Sequence, residues 1–312
     1  MIDKFVNEMK GVVIKSTGSW YTVLAESGEK VECRTKGKLR LEESKATNPI
    51  AVGDNVIFQN DSIEEILPRK NYIIRKATNL SKQTHVIAAN IDRAYLLVTL
   101  ALPKTSTGFI DRFLMTAEAY QIPSTIIFNK TDIYTDEGLE ELNFLKAIYE
   151  KIGYECFSVS AREEESVTFL KEKLKGKVNL VAGHSGVGKT TLINALQPGL
   201  DLKTAAISES NSKGIHTTTF AEMFLLDNGG FIIDTPGIKE FGLVNVEKNE
   251  LSHFFPEIFK KSSECKFSSC LHVNEPKCAV IEAVEREEIA VTRYNSYLGI
   301  IEGDELGKKY ND

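Results

Sequence analysis

The chain has 312 residues, 42% of them hydrophobic, with 38 Lys+Arg against 44 Asp+Glu and a formal net charge of −6. This is long for one domain and enough for two or three packed cores. No stretch is apolar enough to span a membrane as a helix. The start, Met1-Ile2-Asp3-Lys4-Phe5-Val6-Asn7-Glu8, lacks the charged-then-apolar pattern of a secretory signal, so a cytoplasmic protein is expected. Of five cysteines, Cys265, Cys270 and Cys278 fall within fourteen residues, which in a reducing compartment favours metal over disulfide.

The acidic balance argues against a general nucleic-acid binder, but the charge is unevenly spread. Residues 240–312 hold 9 Lys+Arg against 14 Asp+Glu, whereas residues 1–75 hold 12 against 11. Within the latter, Arg34, Lys36, Lys38 and Arg40 place four positive charges in seven residues. Such a cluster is able to meet RNA phosphates, and it equally suits a solvated loop.

In chain order, residues 11–16, 20–25, 30–35, 55–59 and 63–67 read as short strands rich in Val, Ile and aromatics, separated by Gly- and Ser-containing turns. Five such strands suit a small β-barrel, with the OB-fold the leading candidate. That barrel either binds oligonucleotide or serves as a docking module. From about residue 85 strands and helices alternate. Strands are predicted at 94–98, 124–128, 156–159, 178–182, 220–226 and 231–233, and helices at 109–120, 137–151, 166–174 and 191–196. This is the rhythm of a doubly wound α/β sheet. Beyond residue 241 the pattern is helical, with acidic helices expected at 281–289 and 300–306 and Tyr294-Asn295-Ser296-Tyr297 between them. The resulting domains are 1–72, 73–240 and 241–312.

Gly183-His184-Ser185-Gly186-Val187-Gly188-Lys189-Thr190 is a full G-x-x-x-x-G-K-[ST] phosphate loop, placed between a predicted strand and a helix that opens with Thr191. Its glycines let backbone N–H groups converge on phosphate oxygens. Lys189 reaches the β- and γ-phosphates, and the Thr190 hydroxyl suits Mg²⁺. Asn129-Lys130-Thr131-Asp132 follows another predicted strand. An aspartate accepts two hydrogen bonds from the N1–H and N2–H₂ edge of guanine, which adenine lacks, so Asp132 is the candidate base reader. Asn129 suits tying loops together, and the Lys130 stem suits lying over the base. A backbone N–H at Ser160 or Ala161 is placed to meet guanine O6. The two motifs complete one nucleotide and point to GTP.

Asp234-Thr235-Pro236-Gly237 supplies an Asp for Mg²⁺ and a Gly237 amide for the γ-phosphate. In the polar segment 210–219, Thr218 is the favoured further Mg²⁺ ligand, with Thr217 and Thr219 as alternatives. The position after Gly237, where many GTPases carry a water-orienting glutamine, is Ile238. Hydrolysis is therefore expected to be slow without help. His216 is the candidate catalytic group, with a purely loop-shaping role as the alternative. Asn129 precedes Gly183, the reverse of the ordinary order, so the GTPase domain reads as circularly permuted.

Cys265-x₄-Cys270-x-His272-x₅-Cys278 supplies three thiolates and an imidazole, a set that suits a closed, structural zinc site. Cys33 and Cys156 read as buried core residues, His253 as a packing residue, and His85 has no evident partner.

Taken together, Asp111-Arg112-Phe113-Leu114, Asn129–Asp132, Gly186-Val187-Gly188-Lys189, His216-Thr217-Thr218-Thr219, Asp234-Thr235-Pro236-Gly237 and the 265–278 cluster resemble the ribosome small-subunit-dependent GTPase A family. His184 and Ile215 depart from its usual residues. The resemblance implies an N-terminal barrel, a permuted GTPase domain and a C-terminal helical zinc domain. It also implies binding to the small ribosomal subunit and its rRNA, GTP hydrolysis to GDP stimulated by that subunit, and a role in late subunit maturation. A monomer is expected. The competing classes are a regulatory GTPase acting on a protein and a permuted GTPase of large-subunit assembly.

Overall fold

The computed structural model describes residues 8–35, 50–76, 84–200, 202, 221–234 and 246–303. Strands β1 (Met9–Ser16), β2 (Tyr21–Ala25), β3 (Lys30–Thr35), β4 (Asn55–Gln59) and β5 (Ser62–Ile66) form the N-terminal barrel. β1 pairs antiparallel with both β2 and β4, β2 with β3, and β4 with β5. The ring closes through a parallel contact of β3 with β5, at Arg34 opposite Ser62. This five-stranded ring is the expected OB-type barrel. Alternate residues point inward, and Val13, Val23, Cys33, Val56, Phe58 and Ile63 are fully buried. The register of β1 shifts between Val13 and Lys15, and its last residues reach a second sheet.

A hairpin of β6 (Tyr72–Lys76) and β7 (Thr84–Ala89) follows the barrel and makes its own two-stranded sheet. It is absent from the sequence reading. Its strands, YIIRK and THVIAA, are as long and as β-prone as the others, but they fall at the join between barrel and α/β rhythm and fit neither pattern.

The central sheet contains β8 (Arg93–Val98), β9 (Ser124–Phe128), β10 (Glu155–Ser158), β11 (Val178–Ala182), β12 (Glu222–Leu225) and β13 (Phe231–Asp234), in the order β10-β9-β8-β11-β13-β12. All are parallel except β12, which pairs antiparallel with β13. Helices α1 (Thr107–Ala119), α2 (Asp136–Ile152), α3 (Glu164–Leu174) and α4 (Lys189–Leu196) cover its two faces. The strand period of two divides the apolar residues. Leu96 and Phe128 join a core with Phe113 of α1 and Leu145 of α2, while Leu97 and Ile127 join one with Leu170 of α3 and Ile193 of α4. Both faces are therefore dry, as the continuous apolar runs require. β1 pairs with β12 at Lys15 opposite Glu222, with an ion pair of 3.1 Å, so barrel and central sheet are continuous.

The C-terminal part holds α5 (Pro256–Ser262), α6 (Ala279–Glu285) and α7 (Val291–Ile301). Here the expected helices need correction. The first ends at Glu285 because Glu287 adopts a left-handed φ of 59°. The second begins at Val291, so Tyr294–Tyr297 lies inside α7 and not between helices. Arg293, Tyr297 and Ile301 are buried, one helical face at turn-like spacing. Residues 304–312 lie outside the described residues.

α7 packs on α1 through a buried charged cluster. Arg293, fully buried, donates to Asp111 Oδ1 at 2.9 Å and, through two nitrogens, to Glu257 of α5 at 2.6 and 3.1 Å. Tyr149 and Ser296 also donate to Asp111, at 2.9 and 2.5 Å. Asp111→Ala would leave Arg293 with Glu257 as its one carboxylate partner and the buried Tyr149 hydroxyl without its acceptor. It is expected to weaken the α7 docking by about 3–5 kcal/mol, read as lost hydrogen-exchange protection of α7 amides at lower urea than in the parent.

Candidate nucleotide site and metal centre

The loops at the carboxyl ends of β8, β9, β10 and β11 converge, as ligand loops do in open parallel sheets. β11 runs into Gly183, and α4 starts at Lys189. Gly188 precedes it with a left-handed φ of 94°. Asn129, at the end of β9 and 1% exposed, sits against this turn. Its amide donates to Val187 O at 2.8 Å, and its Oδ1 accepts from Ala161 N at 3.1 Å. One side chain thus joins all three segments that the sequence analysis singled out.

Lys130 is left-handed at φ 64° and donates from Nζ to Gly186 O at 2.7 Å and to Leu102 O at 2.5 Å. Burial, aided by Arg162, lowers its pKa. Thr131 and Asp132 lie in a 3₁₀ turn, and Thr131 N donates to Val159 O at 3.2 Å. The Asp132 carboxylate accepts from Ser160 Oγ at 2.8 Å and lies 3.7 Å from the Arg162 guanidinium. The backbone N–H groups expected to meet guanine O6 are engaged within the protein. Ser160 N–H donates to Ser166 Oγ at 3.2 Å, and Ala161 N–H to Asn129.

Asp234, the last residue of β13, brings Oδ1 to 3.3 Å from Lys189 Nζ. That buried oxygen has no hydrogen-bond partner among the described residues. A buried carboxylate oxygen paired by charge with the phosphate-loop lysine but without a hydrogen bond among the described residues, with Thr190 next after that lysine, suits a hard divalent cation. Ser185 is exposed, and His184, Thr190 and Thr191 are not fully buried. Thr217, Thr218, Thr219, His216, Gly237 and Ile238 lie outside the described residues.

Two parts of the site escaped the sequence reading. The loop 99–106 between β8 and α1 lies along the phosphate loop, where a Cβ on Gly186 would come within 3.1 Å of Pro103. Tyr134 donates to Asn129 O at 2.7 Å and accepts from Leu100 N at 2.9 Å, holding the two loops together, with a hydroxyl pKa raised by burial. The only available signal was position, at the carboxyl end of a central strand.

In the C-terminal part, Cys265, Cys270, His272 and Cys278 bring their ligand atoms within 4.8 Å of one another. Cys265 Sγ and Cys278 Sγ lie 3.8 Å apart, and His272 Nδ1 lies 3.6 and 3.4 Å from them. A tetrahedral zinc with its usual bond lengths requires S···S of about 3.8 Å and S···N of about 3.6 Å. The cluster fits. Burial pushes the Cys270 thiol up to about 12 and raises that of Cys278, so the protein alone does not favour thiolates there and a bound cation would. The loop is braced by Glu275, which accepts from the backbone of Leu271, Val273 and Asn274 at 2.7, 2.8 and 3.1 Å. Tyr294 and Tyr297 of α7 donate to His272 O and Leu271 O at 2.7 and 2.8 Å. Cys33 and Cys156 are buried in the cores, and His253 packs edge-on against Phe259. Arg34 lies over the Trp20 ring, 3.6 Å from its centroid. Lys36, Lys38, Arg40 and the side chain of His85 lie outside the described residues.

Comparison with known proteins accords with this geometry. The RsgA GTPase family model matches residues 66–244, and that of the RsgA N-terminal domain matches residues 10–65. The chain belongs to the RsgA GTPase family. It is 55% identical over 305 residues to a Bacteroides fragilis protein named small ribosomal subunit biogenesis GTPase RsgA, covering 96% of this chain and 98% of that one. A Flavobacterium johnsoniae protein of the same name is also 55% identical, over 95% and 94% of the two chains. The crystal structure of YjeQ from Thermotoga maritima superposes with a TM-score of 0.78 at 36% identity, covering 97% and 100%. That of YloQ, described as a circularly permuted GTPase, gives 0.74 at 31% identity, covering 97% of each.

As an RsgA GTPase the protein hydrolyses GTP, and its sheet explains how the permutation preserves the site. The phosphate-loop strand β11 is central. The guanine-side strands β8, β9 and β10, which precede it in the chain, lie on one side, and β13 and β12, which follow it, lie on the other. GTP and GDP are the substrate and product, with Mg²⁺ implied. Among the described residues no helix is long and apolar enough to cross a membrane. A Cβ added at Gly188 would sit 2.5 Å from Asn129 Nδ2 on a backbone already left-handed. Gly188→Ala is therefore expected to abolish nucleotide binding in a fluorescent-GDP titration while leaving the far-ultraviolet circular dichroism spectrum unchanged.

Proposed function

We propose that this GTPase binds the small ribosomal subunit and its rRNA in the cytoplasm, acts in late maturation of that subunit, and hydrolyses GTP under its stimulation. The observation that carries the reading is 55% identity, over nearly the whole of both chains, to a protein named for small-subunit biogenesis. The barrel, the permuted domain and the Cys/His cluster are all part of the matched length. The working units are taken as 1–72, 73–240 and 241–312, in a monomer.

In this reading the backbone amides of 183–191, Lys189 and the Gly237 amide bind the phosphates. Asp132 accepts the guanine edge, and Asn129, Lys130, Thr131, Ser160 and Ala161 complete the base pocket. Since Ala161 N–H is held by Asn129, its use for guanine O6 requires a small local exchange of partners. Thr190, Thr218 and Asp234 hold Mg²⁺, which supplies charge neutralisation at the β- and γ-oxygens. His216 orients the attacking water. Ile238 gives no such help, which is why turnover waits for the partner. Arg34, Lys36, Lys38 and Arg40 meet rRNA phosphates.

GTP turnover should rise well above its basal rate with purified small subunits and not with large ones. Equal stimulation by both, or none, would sink the reading. A regulatory GTPase acting on a protein would show neither response, and its partner binding would vary little with salt.

Cys265, Cys270, His272 and Cys278 are proposed to hold one structural Zn²⁺. Elemental analysis should find about one zinc per chain, and Cys278→Ser should lose it together with part of the C-terminal helical signal.

A further inference from the structure

His184 belongs to the phosphate loop by sequence, yet its side chain also reaches out of it, to Thr105 in the loop between β8 and α1 and to Phe109 in α1. Its Nε2 is 2.7 Å from Thr105 Oγ1, and its Nδ1 is 3.0 Å from Ser185 O. A carbonyl only accepts, so Nδ1 carries the proton and Nε2 is the acceptor. Thr105 Oγ1 accepts from Thr99 N at 3.1 Å and is therefore free to donate its own proton to Nε2. The result is a one-way relay from the backbone at the end of β8, through Thr105, into the phosphate loop. Burial, which outweighs the opposite pull of the Ser185 carbonyl, keeps the His184 pKa below its ordinary value and favours the neutral ring this relay needs.

Thr105 itself is 3% exposed, with its N–H bound to Thr99 O at 2.8 Å. The adjacent Ser106 caps α1, and Phe109 in the first turn meets the His184 ring edge-on at 5.5 Å. Thr105 is thus anchored by a strand end on one side and a helix start on the other. The phosphate loop has no such stiffness of its own. Gly183 and Gly186 adopt φ of 156° and 83°, conformations that glycine occupies without committing to them. Which way the intervening amides point is decided by what grips the loop from outside.

We propose that Thr105, acting through His184, is a positioning residue that holds the first half of the phosphate loop in its nucleotide-receiving conformation, so that its hydroxyl sets nucleotide affinity rather than turnover. The inference rests on residues 183–190 being the phosphate cradle. Rigidity bought in advance lowers the ordering cost at binding. Thr105 is 3% exposed and both roles of its hydroxyl are used inside the protein, so its effect is expected on loop position and not on the chemical step.

The test uses the full chain, fluorescent GDP titration, and single-turnover hydrolysis at saturating GTP. Thr105→Val keeps the shape and removes the hydroxyl, leaving Thr99 N–H and His184 Nε2 unpaired. It should weaken GDP binding roughly tenfold, with the saturated rate unchanged. Thr105→Ser should restore parental affinity. His184→Ala, at a less buried position, should weaken binding at least as much, because it also removes the Ser185 and Phe109 contacts, and adding Thr105→Val to it should cost nothing further, since the bond between the two is already gone. Parental affinity in Thr105→Val, no rescue by serine, or additive losses in the double variant would overturn the proposal. Lys189→Ala serves as the separate control. Undiminished binding there would remove the cradle reading itself, whereas loss there with an unaffected Thr105→Val removes only the positioning role.

Discussion

The nucleotide site depends on one buried amide. Asn129 stands at the end of β9, with Nδ2 on the phosphate loop and Oδ1 on the loop after β10. At 1% exposure it cannot satisfy either atom with water, so the three loops either assemble around it or leave a buried polar group unpaired. The glycine at 188 follows from this constraint, because any Cβ there would occupy the space of the amide. Lys130 extends the same logic by bonding Gly186 O and Leu102 O, and Tyr134 by capping Asn129 O. Base-side and phosphate-side residues as far apart in the chain as Asn129 and Val187 become one mouth.

Permutation leaves this mouth intact because it alters chain order and not strand adjacency. β8 and β13 flank β11 whichever motif is made first. What changes is where the chain leaves the domain. Asp234 ends β13, and the chain continues from there to the C-terminal module, while the barrel enters through β1 beside β12.

The C-terminal module makes its second attachment to α1. Arg293 and Ser296 of α7 close on Asp111, while Tyr294 and Tyr297 of the same helix hold the carbonyls of the Cys/His loop. A single helix thus has one end of its packing in the Cys/His loop and the other in the GTPase core. The same α1 begins at the loop that grips the phosphate loop. Buried ion pairs of this kind contribute little net stability, but they fix register, because a shifted α7 would leave Arg293 without either carboxylate.

Much of the site was legible in the sequence because its chemistry is local. A phosphate loop needs its glycines, lysine and threonine in one run, and the guanine reader, Asn129–Asp132, is likewise contiguous. Three thiols and an imidazole within fourteen residues define a metal set without reference to the fold. The α/β rhythm and the barrel strands were equally readable, since each strand carries its own period. What the tertiary structure decided are the pairings between distant residues. The hairpin β6–β7 was hidden because it sits between the barrel and the α/β rhythm and belongs to neither pattern, and α7 was displaced because the left-handed turn at Glu287, not the acidic composition, sets where α6 stops. Asn129 was readable as a tie between loops but not its partner Val187, and the joining of Thr105 to His184 and of Asp111 to Arg293 had no sequence signal at all. Each spans from about sixty to nearly two hundred residues, and only packing of the sheet and helices brings the partners within hydrogen-bond reach.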